Sequence, residues 1–260
     1  MPNCAKTSVV WDPWSRKILV KVSTTSQFTV PIEPLVPEGP LGTLFPQTVA
    51  IRDRRIPGDP AELHPAEAQC VARAVPKRVA EFAAGRACAR AALAELGVRE
   101  FALRAGPDRQ PLWPEGFIGS ITHTAGYCAA AVASRARMLA LGLDTETVGA
   151  PTQDIWPTIS RGEELAWVQS LPAGERPAAV TLLFAAKEAL YKCQYPLVGE
   201  WLDFHDVRVE AGAWGESTGT FTVSATRSIR FARRVVLPIV GRYRFHEHFV
   251  SAALAVPVDQ

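Results

Sequence analysis

The stretch that most limits the fold is PKRVAEFAAGRACARAALAELG, residues 76–97. It reads as one well-bounded helix, with Pro76 at its first turn and Gly97 at its stop. At roughly 100° per residue, Val79, Phe82, Arg86, Arg90 and Leu93 fall on one stripe. Two arginines therefore share the apolar side. They must snorkel to solvent, meet a buried acid, or face an anionic ligand. Strand-like segments flank this helix. TVAIRD precedes it. FALRAG, a Gly/Pro loop and then FIGSITHTAGYCAAAVAS follow, the last reading as strand, turn and strand with Gly126 in the turn. MLALGLDTE is a buried strand ending in acids.

The second part of the chain repeats this plan loosely. ISRGEELAWVQSL and PAAVTLLFAAKEALYKC read as helical, and strands are expected near DFHDVRVE, GTFTVSA and RYRFHEHFVSAALAV. The expectation is an α+β fold of two similar halves related by a pseudo-two-fold. The N-terminal half would span 41–139 and the C-terminal half 140–260. Residues 1–40 are expected to be an N-terminal extension or an extended segment, with Pro31, Pro34, Pro37 and Pro40 fixing φ and removing N–H groups.

Composition narrows the function. The 260 residues are 48% hydrophobic and 21% charged, as in a globular protein. A net charge of +2 gives no polycation, which argues against a nucleic-acid-binding protein. Any anion site must come from local placement of Lys and Arg. Five cysteines (Cys4, Cys70, Cys88, Cys128, Cys193) have no C-x-x-C or Cys/His zinc spacing and read as reduced thiols. No apolar run spans a bilayer, and the N-terminus lacks the plan of a signal peptide. A soluble cytoplasmic protein is expected. P-loop, dinucleotide, G-x-S-x-G and H-E-x-x-H signatures are absent. HEH at 246–248 is read as the polar side of a half-exposed strand, not as a metal ligand pair.

Four elements carry candidate chemistry. Lys77 and Arg78 add positive charge at a helix start that already favours anions. Thr122 and His123 sit at a strand end before a glycine turn and can donate to a phosphate. Asp144 and Glu146 are two apart in an extended chain, so both carboxylates reach one side, where a hard divalent cation would relieve their repulsion. The alternative is a solvated turn. Glu188 and Lys192 have the spacing of an ordinary surface ion pair. Glu188 can also be the third carboxylate beside Asp144 and Glu146, with Lys187 and Lys192 reaching the same phosphates.

The order KRVAEFAAGRACAR, RQPLWPEGFIGSITH, LGLDTE, FAAKEALYK resembles the 4′-phosphopantetheinyl transferases, most closely the larger monomeric class that serves siderophore, peptide and polyketide synthases. The likeness runs from about residue 44 to the C-terminus. It implies transfer of the phosphopantetheine arm of coenzyme A to a serine of an acyl or peptidyl carrier protein, releasing adenosine 3′,5′-bisphosphate. It also implies that Asp144, Glu146 and Glu188 hold Mg²⁺, with Mn²⁺ as an alternative. Glu188 would be the base, and Lys192 would contact the phosphates and protonate the leaving group. Lys77, Arg78, Arg86, Arg109, Thr122 and His123 would surround the adenine nucleotide and its 3′-phosphate, with His123 near the chemistry and Lys187 close by. Two departures stand out: Thr145 lies between the acids where relatives often carry an aliphatic residue, and Gln110 follows Arg109 where an acid is common. Two competing classes are a non-catalytic coenzyme A or nucleotide-binding module, which needs no acid triad, and a Mg²⁺-dependent pyrophosphate hydrolase, which needs a positioned water rather than a protein docking surface.

Overall fold

The structure is a computed structural model and describes residues 39–258. The expected leading segment, 1–40, lies almost wholly outside the described residues. The first part of the described chain contains β1 (Ala50–Arg55), α1 (Pro65–Ala68), α2 (Pro76–Glu95), β2 (Phe117–Thr124) and β3 (Tyr127–Ser134). The second contains β4 (Met138–Thr147), α3 (Trp156–Ile159), α4 (Glu163–Ser170), α5 (Arg176–Val198), β5 (Val207–Ala211), β6 (Thr218–Ala225), β7 (Ile239–His246) and β8 (Phe249–Pro257). This is an α+β fold. An antiparallel sheet of order β1-β3-β2 carries α2, and a five-stranded sheet of order β4-β8-β7-β6-β5 carries α5.

The two sheets meet edge to edge, β2 beside β4. The strands are stitched by hydroxyls rather than by a ladder. Ser120 Oγ accepts the Leu143 N–H and lies 3.3 Å from the Leu143 carbonyl. Thr122 Oγ1 accepts the Thr145 N–H at 2.9 Å, and Thr124 and Thr147 pair their hydroxyls. Buried backbone groups on an edge strand need partners, and these side chains supply them. Strand β4 thus lies at the centre of the molecule, and α5 packs on its other side.

Three local readings are corrected. FALRAG forms no strand; within it only Ala105 makes a β-bridge, to Pro111, and side chains take up the Leu103 backbone. The helical stretch 159–171 is broken at Gly162, whose φ of 57° suits glycine, so α3 and α4 are separate. The run through HEH is a hairpin, turning at Glu247 with φ 53°. His246 lies within it, its Nε2 2.9 Å from Ser251 Oγ, and burial lowers its pKa to about 4.

Candidate active site

Helix α5 is apolar over most of its surface and nearly every residue from Ala179 to Gln194 is buried. Charged side chains there must find partners. Along β4, Ala140, Gly142, Asp144 and Glu146 alternate toward α5. Gly142 is what lets the two elements touch: a Cβ there would lie 1.9 Å from the Ala189 carbonyl oxygen. Ala189 is the neighbour of Glu188, and Lys192 follows one turn later. This close approach sets Lys192 Nζ 2.6 Å from Asp144 Oδ1 and 3.4 Å from the Leu143 carbonyl. Thr122 Oγ1 donates to the same Asp144 oxygen at 3.1 Å. Asp144, Glu146, Glu188 and Lys192 are all buried.

An open cleft lies between α2, β2 and α5. Arg78, Arg86, Arg109, His123 and Lys192 line it, together with Phe82 and Glu81. Arg78 Nη1 donates to His123 Nε2 at 2.7 Å. Arg86 is 5% exposed. Its Nε donates to the Leu103 carbonyl at 2.6 Å, its guanidinium sits 4.0 Å from the centre of the Phe82 ring, and its Nη2 is buried without a hydrogen bond. Burial lowers its pKa to about 10, so it stays a cation at neutral pH. A cleft with this lining suits a polyanion carrying an aromatic or apolar part.

Not every expected residue reaches the cleft. Arg90, the second arginine of the stripe, pairs with buried Glu67 and with the Glu62 carbonyl. Lys77 is exposed at the start of α2 and does not line the cleft. The Thr122 hydroxyl is turned to Asp144 and to the β4 backbone. Lys187 points to the other side of α5, where its ammonium donates to Glu164 at 2.7 Å and to the Ile159 and Phe204 carbonyls. Those three bonds use all its protons, so the structure gives Lys187 a role in the fold. Burial pulls its pKa down against the opposing pull of Glu164.

The three carboxylates fit a hard cation in donor chemistry. They are oxygen ligands, all buried, with Lys192 as the cation beside Asp144. Asp144 Oδ2 and Glu188 Oε1 are enclosed and make no hydrogen bond, although both side chains have other partners. Among the described residues, however, no three His, Cys, Asp or Glu side chains are gathered closely enough to hold a metal. Asp144 meets Lys192 instead.

Comparison with known proteins identifies the family. Residues 66–133 match the 4′-phosphopantetheinyl transferase N-terminal domain, and residues 140–244 match the 4′-phosphopantetheinyl transferase superfamily. The chain is 36% identical over 198 residues to the 4′-phosphopantetheinyl transferase Npt of Nocardia iowensis, covering 74% of this chain and 88% of that protein. It is 44% identical over 169 residues to the 4′-phosphopantetheinyl transferase Svp of Streptomyces mobaraensis, covering 64% and 67%. Enterobactin synthase component D of Salmonella typhi is 44% identical over 120 residues, covering 45% and 48%. The chain belongs to the 4′-phosphopantetheinyl transferase family and is an enzyme of that class.

Proposed function

We propose that this enzyme moves the 4′-phosphopantetheine arm of coenzyme A onto a serine of an acyl or peptidyl carrier protein, in a Mg²⁺-dependent reaction. The observation that carries the reading is the basic cleft ending at the buried Asp144–Lys192 pair. The serine oxygen would form a bond to the phosphorus attached to pantetheine. The bond from that phosphorus to the bridging oxygen would break, and adenosine 3′,5′-bisphosphate would leave. Such a transfer needs charge neutralisation and alignment more than covalent help. Arg78, Arg86, Arg109 and His123 would grip the nucleotide, so remote binding orients the reacting centre. Glu188 would take the serine proton, and Lys192 would face the leaving phosphate. On donor chemistry alone, Asp144, Glu146 and Glu188 would be the oxygen ligands of the Mg²⁺, which would supply charge neutralisation at the phosphates, although this structure does not gather them around one point.

The partner is proposed as a carrier domain of a siderophore or other secondary-metabolite synthase, on the strength of the enterobactin synthase relative. A cytoplasmic monomer is proposed as well. Among the described residues no helix is long and apolar enough to cross a membrane. The test is intact-protein mass spectrometry of an apo peptidyl carrier protein incubated with this enzyme, coenzyme A and Mg²⁺. A gain of one phosphopantetheine arm, lost with EDTA, is expected. Coenzyme A binding without transfer to any of several carrier types would sink the reading and favour a non-catalytic module.

A further inference from the structure

We infer that Glu67 is a positioning residue for Arg86, acting through the Leu103 peptide and through Arg90. The inference rests on the reading of the cleft as the coenzyme A site. Glu67 is fully buried although it lies in a four-residue helix, α1. Its Oε1 accepts the Leu103 N–H at 2.9 Å. Its Oε2 accepts from Arg90 Nη1 and from the His64 N–H. The Leu103 carbonyl then accepts Arg86 Nε at 2.6 Å. Leu103 is fully buried and lies in no strand, so two side chains hold its two backbone groups.

The division between the two arginines is what gives this arrangement a functional sense. Arg86 and Arg90 are one turn apart on α2, and among the described residues Glu67 is the carboxylate that acts on both. Arg90 takes it. Arg86, which lines the cleft, receives a neutral carbonyl instead, and its enclosed Nη2 has no hydrogen-bond partner. A guanidinium paired directly with a carboxylate would have its charge cancelled and its fork filled. Here the carboxylate acts at one remove. It supports the Arg86 charge electrostatically while the Leu103 peptide fixes the orientation. Side chains that orient a ligand-binding group from behind commonly cost about ten-fold or more in affinity when mutated, as at metal sites.

The test is a double-mutant cycle on coenzyme A affinity, read by calorimetry on the full chain. Glu67→Gln keeps the shape but removes the charge, and Glu67→Asp keeps the charge but shortens the reach. Each is made alone and in an Arg86→Ala background. Thermal melts establish folding, and Glu67→Asp decides the question if Glu67→Gln does not fold. The expected result is a weakening of roughly ten-fold in the parent, the worth of one charge-assisted hydrogen bond. In the Arg86→Ala background the same substitution should change affinity less than about two-fold, because coupled residues are non-additive. Equal losses in both backgrounds, or no loss in the parent, would overturn the role of Glu67. If Arg86→Ala alone left affinity unchanged, the coenzyme A reading of the cleft would fail separately.

Discussion

Lys192 Nζ lies 2.6 Å from Asp144 Oδ1, with side-chain exposures of 4% and 0%. The pair joins α5 to β4 at the end of the cleft. Neither charge has water to fall back on, so each depends on the other. Lys192→Met should therefore do two things. It should cost about 3–5 kcal/mol of stability by removing the buried cation that faces the Asp144 carboxylate. It should also abolish transfer in the protein that remains folded. Chemical denaturation and a single-turnover transfer assay measure the two effects. A folded, fully active Lys192→Met protein would remove this lysine from the chemistry.

Glu188 should behave differently. Glu188→Gln keeps the volume of a buried side chain and removes the proton acceptor. Loss of a general base costs about 10²–10⁴-fold in rate. The expected outcome is a kcat reduced at least a hundred-fold at an unchanged melting temperature, with coenzyme A still bound. Normal turnover by a pure preparation would return Glu188 to a structural role.

Lys187 provides the contrast. Its neighbours in sequence are catalytic candidates, yet its ammonium is enclosed by Glu164 and two carbonyls. Lys187→Met should cost about as much stability as Lys192→Met, since it also strands a buried carboxylate. The folded fraction should keep its KM for coenzyme A. A large rise in KM without loss of stability would place Lys187 in the cleft after all.

His246 makes stability depend on pH. Burial holds its pKa near 4, below the ordinary 6.5, despite the opposing pull of Glu247. Between those values the unfolded chain binds a proton that the native protein refuses. Stability from this group is complete above about pH 6.5 and is lost as pH falls toward 4. His246→Gln cannot titrate and retains a polar group for Ser251. Its denaturation free energy should fall less steeply across that window than the parent's. Parallel curves would show that carboxylates alone carry the acid sensitivity.

Much of the site can be read from residue spacing. Asp144 and Glu146 share a face because strands alternate, and Arg86 lies on the apolar stripe of α2 because helices repeat. The limits of FAAKEALYK are equally physical. Lys187 and Lys192 are chemically identical in the sequence, and only the partners on either side of α5 separate them. Arg86 and Arg90 raise the same problem. Which of them keeps an unpaired donor depends on Glu67, 19 residues before Arg86 and marked in sequence only by its place in a capping box. FALRAG looks like a short strand because Phe101 and Leu103 alternate with other residues, but side-chain hydrogen bonds satisfy its backbone.

Gly142 is the least conspicuous of the residues that build the site. In LGLDTE it reads as an interruption in a strand, a place where glycine is generally unfavourable. Its reason is the approach of α5. An added methyl group would stand 1.9 Å from the Ala189 carbonyl oxygen and 2.8 Å from the Cys193 Cβ. A peptide group and a Cβ of α5 leave no flexible group to yield, so the helix must retreat from the strand. Gly142→Ala should therefore lengthen the gap between Lys192 and Asp144 and move Glu188 with it. Overpacking of this kind costs about 1–3 kcal/mol, which a 260-residue fold can survive. The expected protein is folded, melts several degrees lower and transfers at least about ten-fold more slowly, because misplacement by about 1 Å is enough to spoil alignment. Coenzyme A affinity should change little, since Arg78, Arg86 and Arg109 are held by α2 and its neighbouring loop. Thermal melts, calorimetry and single-turnover rates test the three statements together. Parent-like transfer by Gly142→Ala would mean that the close contact serves packing alone.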